Sequence, residues 1–268
     1  MARDRYDRYD DDDYDRPRRR KKSGGSSGAT IALVVGGVTL MLLIACGGAL
    51  YFVLRGAKKI GAGLNEFGER ATASQNAEEI YAAFDAYQNA NGRFPPPYLK
   101  AKDGKPGLSW RVAILPFLDD PRAKALHPMF KLDEPWDSPT NRPLLDQMPP
   151  VFLGPAGSAP NQTRFRVFMG RETMFDPIRQ GVRVQDVTDG LAKTILFVEA
   201  EQAVPWTKPE ELEYDPKKPL PALHRALMNT YMVVAADGEI HDIEASMPEE
   251  KIRKWIIIND GWLKDPDW

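Results

Sequence analysis

Cysteine is almost absent. The chain holds one, Cys46, which excludes a disulfide framework and a multi-cysteine zinc site. Histidine is nearly as scarce: His127, His224 and His241 are too little material for a histidine-based metal centre. Net charge is lacking as well. The 36 Lys and Arg nearly cancel the 38 Asp and Glu, leaving −2, which argues against a dedicated nucleic-acid binder. No enzyme signature is visible. Two further absences are local. No charged residue lies between Ala29 and Leu54, and no proline between Arg55 and Gly92. They divide the chain into unlike parts.

Residues 1–28 are charge and linker, with Tyr6, Tyr9 and Tyr14 the only large apolar surfaces. Such a segment buries too little to offset chain entropy and is expected to be a disordered cytoplasmic tail. Asp10–Asp13 are acidic, and Arg16–Lys22 are basic apart from Pro17. A solvated tail with a topology signal is the simpler reading; a docking tail for a partner or for anionic headgroups is the other.

Residues 29–54 form an uncharged apolar run. As a helix it is about 39 Å long at 1.5 Å per residue, enough to span a bilayer with tilt. The six basic residues of Arg16–Lys22 precede it, and only Arg55, Lys58 and Lys59 closely follow. The bias places the N-terminus in the cytoplasm and the C-terminal domain on the exported, periplasmic side of a single-pass inner-membrane protein. Leu43-Ile44-Ala45-Cys46 resembles a lipoprotein processing box, but the apolar run continues past Cys46, which favours a plain intramembrane cysteine over lipidation. Ala32/Gly36 and Ala45/Ala49 are weak small-xxx-small signals for helix pairing.

Residues 55–92 read as a helical spine. Ala77, Ile80, Tyr81, Phe84 and Tyr87 follow the i, i+3, i+4, i+7 spacing of an amphipathic helix, which Asn91-Gly92 and Pro95–Pro97 terminate. Residues 93–268 read as an exported globular domain. Short helices are expected at Ser109–Leu118 and Pro121–Phe130, and strands at Phe165–Met169, Thr194–Ala200, Thr230–Ala236 and Glu239–Ile243. Asp237-Gly238 is the strongest hairpin signal in the chain. Ser246 and Glu249 have the spacing of a capping box for a final helix. The expected class is α+β: a transmembrane helix, an amphipathic spine on a small antiparallel sheet, and a C-terminal helix.

Several strings carry a family resemblance: Gly92-Arg93-Phe94-Pro95-Pro96, the segments Lys102–Leu118 and Lys131–Leu145, then Val187–Ala200 and Ala203–Leu212. Together they resemble the bacterial prepilin-like family called domain of unknown function 1559, over about Ala57 to Gly261. The resemblance implies a pseudopilin-like build, a helix spine on a small antiparallel sheet, and it brings no reaction. It also marks Asp189, Gly190, Asp237 and Gly238 as signature positions. The family's C-terminal signature is a His, nine residues, then Asp-Gly; here Leu227 stands in place of the His. A prepilin carries a Glu near the start of its apolar helix, and Leu33 stands there instead. No prepilin-peptidase cleavage and no classical filament are therefore expected.

The remaining candidates are modest. Trp110, Trp136, Trp206 and Trp255 are a candidate sugar-binding platform, against the plainer reading as core and loop-pinning residues. Asp133, Glu134 and Asp137 give an oxygen-rich loop without calcium-loop spacing. Asp186 and Asp189 read as turn formers. Glu199 and Glu201, two apart on a strand, share a face but have no nucleophile beside them. Asn161-Gln162-Thr163 is a weak sequon. No catalytic residue, metal or cofactor is expected. The expected function is a membrane-anchored structural or interaction protein of a surface or secretion assembly, in contact with the lipid bilayer and protein partners and not with nucleic acid. The alternative is an exported module that binds or senses a glycan or peptide.

Overall fold

The computed structural model describes residues 67–153, 159–225 and 229–261, all within a compact unit from Ile60 to Trp268. The expected tail, the membrane span with Cys46 and Leu33, the first part of the spine and Leu227 lie outside the described residues. Among the described residues no helix is long and apolar enough to cross a membrane.

The spine is helix α1, described over 67–91. Ala73, Ala77, Ile80, Ala83 and Phe84 form its buried stripe, the 3.6-residue pattern read from the sequence. Tyr81 and Tyr87 flank the stripe and pack at the edge of the same core. Three alanines in the stripe let the helix backbone lie close to what it covers. At its end Gly92 N–H donates to the Gln88 carbonyl, and the prolines that follow have no N–H with which to continue the helix.

What α1 covers is a four-stranded antiparallel sheet. Its strands are β3 (Gln162–Arg166), β5 (Ile195–Pro205), β7 (Thr230–Ala235) and β8 (Ile240–Glu244), in the order β3-β5-β7-β8. Alternation along the strands feeds two cores. Phe165, Phe197, Met232 and Val234 join the α1 side, whereas Val198, Ala200, Val233 and Ile243 join the other. There they meet Ile252, Trp255 and Ile256 of α4 (Glu249–Ile256). The sheet is thus sandwiched between two helices, and each large apolar side chain it buries contributes roughly 1.5–3 kcal/mol.

The connections are short elements. An antiparallel pair, β1 (Tyr98–Lys100) and β2 (Pro106–Ser109), leads into α2 (Trp110–Ile114) and α3 (Pro121–Leu126). Each of these helices passes into a 3₁₀ turn, which divides the longer expected helices at Pro116 and Pro128. Ser109 and Asp120 cap the two helices through their side chains. A parallel pair, β4 (Phe168–Met169) and β6 (Leu212–Glu213), completes the domain. The architecture is α+β with small, mainly antiparallel sheets.

Two expectations change. The expected Ser246 capping box does not form: α4 starts after Pro248, and the Ser246 hydroxyl donates to Glu244 instead. Pro248 takes the N-cap position without a side-chain cap, and Glu249 and Glu250 place negative charge in the first turn. The hairpin at Asp237-Gly238 does form, with Gly238 at φ 95°. A Cβ there would lie 2.4 Å from the Tyr81 ring, so this signature glycine serves both the turn and the close approach of α1.

Candidate functional site

The indoles named as a platform are placed differently. Trp110 and Trp206 are fully buried. Trp110 packs on Phe84 at 4.8 Å, and Trp206 stacks on Phe152 while its indole N–H donates to the Leu145 carbonyl. Trp255 is equally buried, on α4. Only Trp136 is partly open, with the Lys208 ammonium 5.7 Å from its ring. The large apolar area of these rings makes them core residues, and they form no surface platform.

The signature acids hold backbone. Asp189 is buried, and its carboxylate accepts from Asp260 N–H at 2.8 Å and Gly261 N–H at 3.0 Å. It therefore ties the loop before β5, at Gly190, to the segment after α4. Asp237 accepts from Glu239 N–H within the hairpin turn. In the 131–138 loop the organiser is Asn141, which is fully buried. Its amide donates to the carbonyls of Lys131, Glu134 and Pro135 and accepts from Lys131 N–H. Asp133 is exposed and pairs with Lys102 at 3.1 Å. Among the described residues no group of three or more His, Cys, Asp or Glu is placed to hold a metal ion.

Two buried carboxylates stand out. Glu211 pairs with Arg111, Nη1 to Oε1 at 2.9 Å, and both side chains are fully buried. Glu211 also accepts from Val167 N–H at 3.0 Å, and Arg111 donates to the Phe165 carbonyl and to Ser109 Oγ. Burial pushes the Glu211 carboxyl up, and the charges of Arg111 and Arg166 with the Val167 N–H oppose it. The arrangement fastens β2 and α2 to the β3–β4 chain and β6.

Glu199 is the other. It lies on β5 opposite Phe165 of β3, facing α1, and is 1 % exposed. Its Oε1 has no hydrogen-bond partner among the described residues. Burial raises its pKa to about 7, opposed by the charges of Arg70 and Arg164 and assisted by that of Asp242. Arg70, from the early part of α1, reaches across to Asp242 of β8 at 2.5 Å and touches the Met232 sulfur of β7. Arg164 of β3 donates to the carbonyls of Ala200 and Glu201. His224, whose N–H donates to the Glu199 carbonyl, is held below its ordinary value by burial and by Arg164. Glu201 is exposed, so the expected carboxylate pair contributes only Glu199 to the interior. Beside this cluster, Phe67, Arg70, Asn229, Thr230 and Asp242 line a cavity of about 540 Å³.

Sequence reading missed the partners in both cases, since each comes from a distant strand or helix. The one usable signal was a Glu inside an otherwise apolar strand, Ile195–Ala200.

These features define a domain with a helix on a small sheet and a tightly bonded polar interior. Residues 69–179, from α1 to the turn after β4, match the model of a family described as Protein of unknown function (DUF1559). Comparisons with curated proteins and with solved structures give no match.

Proposed function

We propose that the chain is a single-pass protein of the cytoplasmic membrane with a pseudopilin-like exported domain. Its role is structural or interactive, within a surface or secretion assembly, and it is not catalytic. The observation that carries this reading is α1. Its apolar stripe lies on an antiparallel sheet, while in sequence it follows the uncharged run Ala29–Leu54. A long helix seated on a small sheet and preceded by an apolar span is the build the family resemblance implies. Among the described residues, the charges that act on the buried Glu199 are those of Arg70, Arg164 and Asp242, and the His224 segment bonds its backbone.

Protease shaving of intact spheroplasts tests the topology. The C-terminal domain is expected to be digested while the N-terminal tail stays protected; the reverse pattern, or recovery of the chain in the soluble fraction, would sink it. Cross-linking from the domain surface tests the role, with recovery of a defined protein partner expected. The second reading, an exported module that binds a peptide, is favoured by a groove at the other end of α1.

A further inference from the structure

That groove has a volume of about 560 Å³. The end of α1 contributes Tyr87, the following turn Arg93, strand β1 Tyr98 and Lys100, and the facing loop Arg179. Three properties set it apart. Its charged lining is all of one sign: Arg93, Lys100 and Arg179, with no carboxylate among the lining residues. Arg179 shares its charge with Asp176 at 3.7 Å and Asp186 at 3.6 Å, whereas Arg93 and Lys100 are exposed.

The second property is an open strand edge. β1 pairs with β2 on one side only, and among the described residues no strand lies on its outer side. An edge strand presents backbone N–H and C=O groups that an extended chain can satisfy.

The third is that the walls are fixed in advance. Phe94 N–H donates to the Val182 carbonyl at 2.8 Å, a backbone tie that does not depend on the Arg93 side chain, whose exposed bond to the Gln180 carbonyl is long at 3.4 Å. Gly181, at φ 89°, lets the two segments meet where a Cβ would fall 2.0 Å from the Phe94 carbonyl oxygen. A preformed groove binds at a smaller ordering cost.

We propose that this groove docks an extended acidic peptide segment of a protein partner, which lies along the free edge of β1 with its carboxylates toward Arg93 and Lys100. The open edge favours a peptide over an acidic sugar, because only a peptide continues the ladder. The proposal deepens the interaction reading by naming the partner's chemistry.

The test uses the purified full-length protein in mild detergent. Fluorescence anisotropy follows two labelled eight-residue peptides, one alternating glutamate and valine, the other lysine and valine. The acidic peptide is expected to bind, more weakly as salt rises, and the basic one not to bind. An Arg93→Glu, Lys100→Glu double variant, both sites being exposed, is expected to keep its melting temperature and weaken the acidic peptide at least ten-fold. Absence of acidic-peptide binding, equal binding of both peptides, or unchanged affinity in the double variant would overturn the proposal. So would tighter binding of an oligogalacturonate, which would make this a carbohydrate site. None of these results alters protease shaving or recovery of a cross-linked partner, so failure here and failure of the interaction reading are told apart.

Discussion

Glu211 and Glu199 are removed from water to nearly the same degree, at 4 % and 1 % exposure, yet they are opposite solutions to burying a carboxylate. Glu211 sits in a complete set of partners: a guanidinium on one side, a backbone N–H on the other. Glu199 keeps one oxygen without a partner, and its arginines are engaged elsewhere, Arg70 with Asp242 and Arg164 with strand carbonyls. Burial pushes both carboxyls up, and the two differ in what opposes it: a direct ion pair and a backbone N–H at Glu211, only charges engaged elsewhere at Glu199. Glu211 is a fastener. Glu199 is a carboxyl that holds its proton up to about neutral pH.

The largest expected effect comes from breaking the fastener. Glu211→Ala leaves Arg111 charged and buried without its partner, and should cost about 3–5 kcal/mol in chemical denaturation. A loss below about 1 kcal/mol would place Glu211 on the same footing as a surface acid.

Glu199 should behave in the opposite sense. Its folded pKa is about 7, above the ordinary 4.5. Below pH 4.5 the carboxyl is protonated in both states and imposes no penalty. As pH rises from 4.5 to 7 the unfolded chain gives up the proton first, so stability falls, by up to about 3 kcal/mol at 1.36 kcal/mol per pH unit. Above pH 7 the slope ends. Glu199→Gln keeps the shape and removes the charge. Melts at pH 8 should show the variant more stable than the parent, and melts at pH 4.5 should show the two equal. A variant destabilised at pH 8 would mean that the carboxylate is paired after all.

Asp189 extends the comparison to an acid bonded only to backbone. Asp189→Ala removes the acceptor for two N–H groups and should cost about 1–3 kcal/mol. Hydrogen exchange should accelerate first at Asp260 and Gly261, and uniform acceleration through the sheet would contradict a local tie. The smallest effect belongs to Arg70. Its pair with Asp242 is half open on the aspartate side, so Arg70→Ala should cost at most about 1 kcal/mol at neutral pH. A further rise in the pH-dependent loss attributed to Glu199 should accompany it, because one opposing positive charge is gone.

How much of this could be read from the residues depends on distance along the chain. The stripe Ala77, Ile80, Phe84 is local, and it foretold α1 and its buried face. Asp237-Gly238 is local as well, and the hairpin stands where its turn chemistry requires. Strand β5 was visible from its apolar run but continues to Pro205, through polar residues whose pairing with the 222–224 segment is not a sequence pattern. The pairs β1-β2 and β4-β6 are too short to leave a periodicity. The Trp residues were named by type, and their burial depends on Phe84, Phe130 and Phe152, which come from three separate elements. Arg111 and Glu211 lie 100 positions apart, so neither could announce the other.

The span of these ties bears on how the domain comes to be folded. Arg70 and Asp242 are 172 positions apart, and Asp189 reaches forward to Gly261. Pairings of such range form only after large loops have closed, which makes for slow folders. A partly emerged domain would hold α1 with its apolar stripe uncovered, since the strands that seat it come last. Assembly of this molecule is therefore a late event in its synthesis, and until then the longest helix among the described residues presents an uncovered apolar stripe.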